Sequence, residues 1–441
     1  MKSETITIEP AGVAAKPPQA GEARDRWWWV EQAVWTERML ERLAQSGPTT
    51  VWFRLWDKVF AKDNLQASYW AVWRNQGAAG VDGQTVGQFD AQEAAELARL
   101  GEELRTGSYR PLPARRQWIP KPGTNEKRPL GIPAVRDRVV QAAVRNVLEP
   151  IFEHDFATQS YGFRPGRGCR EAVAQVERLL AQGNVWCVDA DLKGYFDTIP
   201  HDRLMERVKR RVKDGSVLNL LEQFLKAGVM EGMKGWQPSE QGTPQGGVIS
   251  PLLANLYLDP LDHLVAGRGW NMVRYADDFV VLCRSREEAE EVMRHLRQWT
   301  EAEGLILHPD KTRIVHAVEE GFEFLGWEFK RGRKWPRKKS EHKLREKLRP
   351  LTRRTNGQSL GAIVERINPI LRGWRAYFQS SIRSGLSGPD GWLRRRLRAM
   401  LRKREKRPGY GRSKEDSQQW PNRWFARHGL YSLEHGSCVY V

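Results

Sequence analysis

Apolar residues recur along this chain with helical or alternating spacing, and that spacing predicts its elements. Trp28, Ala33, Trp35, Met39, Leu40 and Leu43 share one helical face that ends at Gly47-Pro48. A second helix is predicted from Val51 to about Asn75, with Trp52, Leu55, Trp56, Val59 and Phe60 as its stripe. The run Trp27-Trp28-Trp29 could stack on bases, but beside two helices it reads better as core. Further helices are predicted near 91–105, 137–149, 170–182, 202–230, 251–264 and 286–303. Extended segments fall between them. Residues 117–133 read as a hairpin around Pro122-Gly123-Thr124-Asn125, and Val185 to Ala190 as a buried strand that runs straight into acids. Met272 to Arg284 reads as strand, two acids, strand, and Phe322 to Phe329 as a last short pair. Glycine-rich loops interrupt the pattern at 77–83, 161–168 and 241–250. Residues 1–22, rich in Ala, Pro and Gly and without periodicity, read as a loose tail.

Composition narrows the class. Over 441 residues, 40% are hydrophobic and 29% charged, which suits several packed domains and excludes a mainly disordered chain. No apolar run is long enough to cross a membrane, and the N-terminal segment has no apolar core of a secretory signal. Cys169, Cys187, Cys283 and Cys438 are scattered, as in a reduced intracellular protein without a disulfide frame or zinc cluster.

The net charge of +18 is unevenly distributed, because Lys330 to Arg407 holds 26 Lys/Arg against 5 Asp/Glu. This segment therefore carries the whole excess, and its expected partner is a polyanion. Within it KRGRKWPRKK (330–339) is so rich in like charge that it is expected to need a polyanion for stability. Helical spacing returns at 341–354 and 361–378. In 391–407, Trp392, Leu393, Leu397, Met400 and Leu401 take one face and the cations the rest. Such a helix packs inward and offers charge to phosphates, or to a membrane surface.

Two acid sites stand at strand ends, Asp189-Ala190-Asp191 and Asp277-Asp278. Carboxylates on neighbouring strand ends repel one another unless a cation lies between them. An all-oxygen set suits Mg²⁺, and two such ions about 4 Å apart support phosphoryl transfer. Either acid pair alone carries little weight, since Asp pairs are common at surface turns.

Several further strings fall in a telling order: GVDG (80–83), IPKPG (119–123), RPLGIP (128–133), QSYGFRPGRG (159–168), DADLKGYFDTIPH (189–201), QGTPQGGVISPLLANLYL (241–258), RYADDFV (274–280), HPDKT (308–312) and FLGW (324–327). Together with the acids, they make the chain from about Trp52 onward resemble the reverse transcriptases encoded by bacterial group II introns. Asn368 to Phe378 resembles the family's maturase region. Trp420 to Phe425 resembles the ending of its class C members, and nothing in the sequence resembles the His/Cys-rich endonuclease domain that some members add.

The resemblance implies an α+β right-hand polymerase with a ferredoxin-like antiparallel sheet and a helical thumb. The expected divisions are a tail (1–22), an N-terminal helical extension (23–76), fingers and palm (77–329), a thumb or maturase region (330–410) and a C-terminal tail (411–441). It implies RNA-directed DNA synthesis with Asp191, Asp277 and Asp278 as metal-site acids for two Mg²⁺ ions, Mn²⁺ being an alternative. Asp189 and Asp197 are expected to be structural. Lys121, Arg128, Phe196 and Gln245 would meet the dNTP, with Phe196 as the gate against a ribose 2′-hydroxyl. Gly246, Gly247, Lys311, Phe324, Leu325 and Gly326 would meet template or primer. Lys330, Arg331, Arg333, Lys334, Arg337, Lys338, Lys339, Arg372, Arg375, Arg394 and Arg395 would grip RNA. Implied partners are group II intron RNA, an RNA template with DNA primer, dNTPs and target DNA, in a bacterial cytoplasm. Three other readings stay open on sequence: a splicing-only maturase, a reverse transcriptase without an intron partner, and an RNA-dependent RNA polymerase, which Phe196 disfavours.

Overall fold

The computed structural model describes residues 27–120 and 127–438, so the tail at 1–22 and the hairpin tip that includes Lys121 lie outside the described residues. Eleven strands among them form three sheets. The first sheet is the finger sheet. It pairs β1 (Ala114–Pro120) antiparallel with β2 (Lys127–Ile132) and extends on the other side of β1 to β4 (Val229–Glu231) and β5 (Gly235–Gln237). The palm sheet has the order β6-β7-β3-β8, from β3 (Trp186–Asp191), β6 (Asn271–Tyr275), β7 (Asp278–Cys283) and β8 (Arg313–His316). The third is a meander of β9 (Phe322–Phe324), β10 (Trp327–Lys330) and β11 (Arg333–Pro336), followed by the thumb helices Lys338–Leu351, Leu360–Phe378 and Arg383–Arg404.

The palm sheet is covered on both faces, and this explains why β3 and β7 are continuous apolar runs rather than alternating ones. Val188, Ala190, Phe279 and Val281 enter a core shared with the helices Val135–Glu153 and Ser250–Gly267. Cys187, Val280, Leu282 and Val315 face the opposite way, into a core with helix Cys169–Ala181, the meander and the thumb. Successive side chains alternate along a strand, so Asp189 and Asp191 continue the Cys187 face beyond the point where the apolar cover ends.

Four expectations need correction. The helix expected over 51–75 is two, Trp56–Val59 and Lys62–Asn75. Asp214, far along the chain, accepts from the Leu55 and Trp56 amides at 2.7 and 3.0 Å and starts the first of them. The helix expected over 202–230 is also two, His201–Arg211 and Gly215–Lys226, and the remainder is strand β4 of the fingers. The basic string at 330–339 is divided between the β10–β11 hairpin, where Trp327 pairs with Pro336 and Lys330 with Arg333, and the start of the helix Lys338–Leu351. β8 was not expected; it is a four-residue edge strand paired to β3 through Asp189↔Arg313 and Trp186↔His316. Of the tryptophan run, Trp27 is core at 4% exposure whereas Trp28 is 55% exposed.

Candidate active site

The acids converge through strand register. Asp191, the last residue of β3, pairs with Asp278, the first residue of β7, and Tyr275 pairs with Asp278 across the β6–β7 hairpin. Asp277 therefore lies in the tight turn, next to Ala276, whose φ of 57° is left-handed. Paired residues point to the same face, so Asp191 and Asp278 stand side by side with Asp277 at the rim. Burial pushes the Asp278 carboxyl up to about 7, and the charges of Asp189, Asp191 and Asp277 add to the shift. Asp277 is raised as well, by burial and then by Asp191, while Arg128 and Lys311 oppose the rise. The cluster is short of positive charge.

Lys311 supplies part of what is missing, with Nζ 2.5 Å from Asp191 Oδ2. Asp189 turns aside to Arg313 at 3.4 Å, which fits a structural role, and Asp197 accepts from the Gln245 amide at 3.3 Å. The donor set is all carboxylate oxygen, as a hard divalent cation requires. Among the described residues, however, no group of three His, Cys, Asp or Glu side chains is already closed around an ion position. With Lys311 on Asp191, the acids are assembled but not drawn together.

The nucleotide side of the cleft is built from three segments. Phe196 is half-buried, packs edge-on against Tyr195 at 5.6 Å and lines a cavity of about 430 Å³ with Arg116, Trp118, Pro129, Thr243 and Pro244. His201 donates from Nε2 to the Gly242 carbonyl at 2.7 Å and so anchors this loop, a structural role. Gly246 has φ 115°, and a Cβ there would lie 2.5 Å from the Gly131 carbonyl oxygen. A Cβ on Gly247 would lie 2.5 Å from Ser250 Oγ. The Gly131 amide donates to the Gln245 carbonyl at 2.7 Å. Gly246 lets the loop seat against β2, and Gly247 lets it fold close to the start of the helix Ser250–Gly267, packing reasons that spacing did not disclose. Arg128 is exposed on β2, opposite Ile119.

The family described as reverse transcriptase (RNA-dependent DNA polymerase) matches residues 119–329, and the group II intron maturase-specific domain matches 341–420. Protein YkfC of Escherichia coli is 39% identical over 287 residues, 56% of this chain and 74% of that protein. The chain belongs to the group II intron-encoded reverse transcriptases. Group II intron-encoded protein LtrA of Lactococcus lactis subsp. cremoris is 37% identical over 235 residues, which is 52% of this chain but only 38% of LtrA. Nuclear intron maturase 4 of Arabidopsis thaliana is 32% identical over 164 residues, 37% of this chain and 20% of that protein. The fold is therefore the right-hand polymerase, the activity class RNA-directed DNA polymerase, and the family one that works with divalent metal.

The reverse transcriptase does not present every expected contact residue to solvent. Phe324 is 1% exposed and supports the β9–β10 turn from beneath, so its side chain is not available to a primer. Leu325 and Gly326 form that turn with φ of 47° and 87°, and its carbonyls are held by Tyr377 Oη at 2.7 Å and Ser340 Oγ at 2.9 Å. Lys334 is 5% exposed, paired with Glu177 at 2.6 Å and lying over the Trp327 ring at 4.7 Å. Arg394 is 8% exposed and pairs with Asp390 at 3.4 Å. Both cations belong to the fold and are withdrawn as RNA contacts. Arg337 is half-buried and paired with Glu323 at 3.1 Å. Arg331, Arg333, Lys338, Lys339, Arg372 and Arg395 are exposed, while Lys330 and Arg375 are half-buried.

Sequence reasoning passed over Arg274, Asp262 and Asn255, which lie buried behind the catalytic turn. The signal was present: an arginine inside an apolar strand must find a partner, and Asp262 is one of two acids in a largely apolar helix.

No helix among the described residues is long and apolar enough to cross a membrane.

Proposed function

We propose that this cleft copies RNA into DNA by in-line attack of a primer 3′-hydroxyl on the α-phosphate of a dNTP, with pyrophosphate leaving. One observation carries the reading: Asp191 and Asp278 are register partners at the open end of a twice-covered sheet, with Asp277 in the adjoining turn. Asp191 and Asp277 are the primary metal ligands and Asp278 supports them. Bound there, two Mg²⁺ ions supply activation of the attacking hydroxyl and neutralisation of the leaving oxygen. Lys311 would be displaced by a cation held at Asp191, and its ammonium would then be free for the primer or the phosphates.

Arg128 on β2, together with Lys121, which follows β1 in sequence, holds the triphosphate; arginine offers a fork and lysine a point charge. Phe196 excludes the 2′-hydroxyl, because a phenyl ring fills the space and returns no hydrogen bond. Gln245, Gly246 and Gly247 border the nucleotide and template, and the Leu325-Gly326 turn offers backbone to the primer end. The exposed cations Arg331, Arg333, Lys338, Lys339, Arg372 and Arg395 grip the parent intron RNA and hold its splicing-active fold. In this division of labour the RNA performs the splicing chemistry, and target DNA is the destination of the copy.

The reading is tested with purified protein, an RNA template carrying a DNA primer, dNTPs and Mg²⁺. Extension that requires the ion is expected; no extension refutes the polymerase. Sequencing RNA that copurifies with the protein tests the partner, and the expected result is a structured intron that encloses this coding sequence.

A further inference from the structure

The turn that presents Asp277 is fixed from behind by side chains that have no place in the reaction. Arg274 lies in β6 and is 0% exposed, as is Asp262, while Asn255 is 2% exposed. The Arg274 guanidinium donates from Nε to Asp262 Oδ1 at 2.7 Å and from Nη2 to Asp262 Oδ2 at 2.5 Å. Its third nitrogen, Nη1, donates to Asn255 Oδ1 at 3.0 Å and to the Ala276 carbonyl at 2.9 Å. Ala276 is the residue immediately before Asp277.

A second contact closes on Ala276 from the other side. The Asn255 amide donates to the Gly162 carbonyl at 2.7 Å. The Arg274 amide donates to the Gln159 carbonyl at 2.9 Å, and the Tyr161 amide to the Arg274 carbonyl at 2.8 Å, so residues 159–161 run along the free edge of β6. Gly162 then meets the turn so closely that a Cβ would lie 2.3 Å from the Ala276 nitrogen. Ala276 is thus held through its carbonyl by Arg274 and pressed on its amide side by Gly162.

Stability alone does not account for this arrangement. A buried ion pair gains little over apolar residues of the same volume, because both charges must first be taken out of water. An apolar pair, however, could not bind the Ala276 carbonyl or hold a left-handed residue in place. We propose that Arg274, oriented by Asp262 and Asn255, is a positioning residue for the reaction, setting the Asp277 carboxylate through the Ala276 peptide. The proposal rests on the reading of Asp277 as a metal-site acid.

Two full-length variants test it. Arg274→Lys keeps the charge near Asp262 but cannot span Asp262, Asn255 and Ala276 together. Gly162→Ala removes no charge and pushes directly on Ala276. Each is compared with wild type in single-nucleotide primer extension, in Mn²⁺ binding followed by electron paramagnetic resonance without nucleotide, and in thermal melting. Displacing a reactive group by about 1 Å costs on the order of 10²-fold. The expected result is therefore a kcat lower by about tenfold or more, a KM for dNTP within about threefold of wild type, and weaker Mn²⁺ binding. Folded variants with wild-type kcat and Mn²⁺ affinity overturn the proposal. If Arg274→Lys fails to fold, the same two outcomes are read from Gly162→Ala. A wild-type protein that extends no primer counts against the polymerase reading instead, and Mn²⁺ binding by the variants still decides the clamp.

Discussion

In the palm, three aspartates gather within one strand register and a turn, and among the described residues the only cation bonded to any of them is the exposed Lys311. In the stretch from Lys330 to Arg407, 26 cations face 5 acids, yet Lys334, Arg394 and Arg402 are bound to Glu177, Asp390 and Asp416. The two regions use charge differently. Like charges in the palm are held against their repulsion by buried structure, which gives a cation site its selectivity. In the thumb, part of the positive charge stabilises internal packing, and only the exposed remainder is free for phosphates. Net charge therefore measures the grip of the thumb poorly, and local balance locates the chemistry of the palm well.

The comparison breaks most sharply at the acids. Asp191→Ala should lower primer extension by at least about 10²-fold and leave intron RNA affinity unchanged in a filter-binding assay. Extension near wild type would remove the palm from the account. Phe196→Ala should come next, raising incorporation of ribonucleotides relative to deoxyribonucleotides by about tenfold or more. An unchanged ratio in single-nucleotide kinetics would show Phe196 to be an ordinary core residue.

Within the thumb the test separates free from committed cations. Replacing Arg331, Arg333, Lys338 and Lys339 with Gln should weaken RNA binding and reduce the slope of log K against log salt by about 3. Lys334→Gln should leave that slope unchanged and lower the melting temperature, because it frees Glu177 and empties the place over Trp327. Equal salt effects in the two variants would contradict the distinction.

The smallest effect concerns a buried acid outside the cleft. Burial pushes Asp137 up to about 6, against the bonds it accepts from Tyr109 Oη at 2.6 Å and the Leu112 amide at 3.0 Å. Its folded pKa exceeds its unfolded value, so the folded state binds more protons between them. Stability from this group is full below about pH 4 and declines as pH rises toward 6. Thermal melts should show that decline, and Asp137→Asn should make it shallower.

Much of the palm was legible because its signals are local. A strand covered on both faces reads as a continuous apolar run, as in 186–190 and 278–283, and the acids that end it stand out. The β1–β2 hairpin was legible for the same reason. Other features depend on partners distant in sequence. The strands β4 and β5 have three residues each; β4 exists by pairing with β1 across more than a hundred positions, and β5 is added to the sheet through β4. The helix start at Trp56 follows from Asp214, and the burial of Lys334 follows from Glu177. A list of basic residues could not separate Lys334 from Arg333, since strand alternation turns one inward and the other out. Phe324 was misjudged likewise: the FLGW string marks a tight turn, but only the meander's packing shows which of its side chains faces the core.

The central claim is that catalysis resides in the palm acids and RNA grip in the exposed thumb cations. It is tested most directly by measuring primer extension and intron RNA affinity side by side on wild type and Asp277→Ala. The account predicts that extension is abolished while the RNA dissociation constant stays within about twofold. Loss of both together, or extension that survives the substitution, would contradict it.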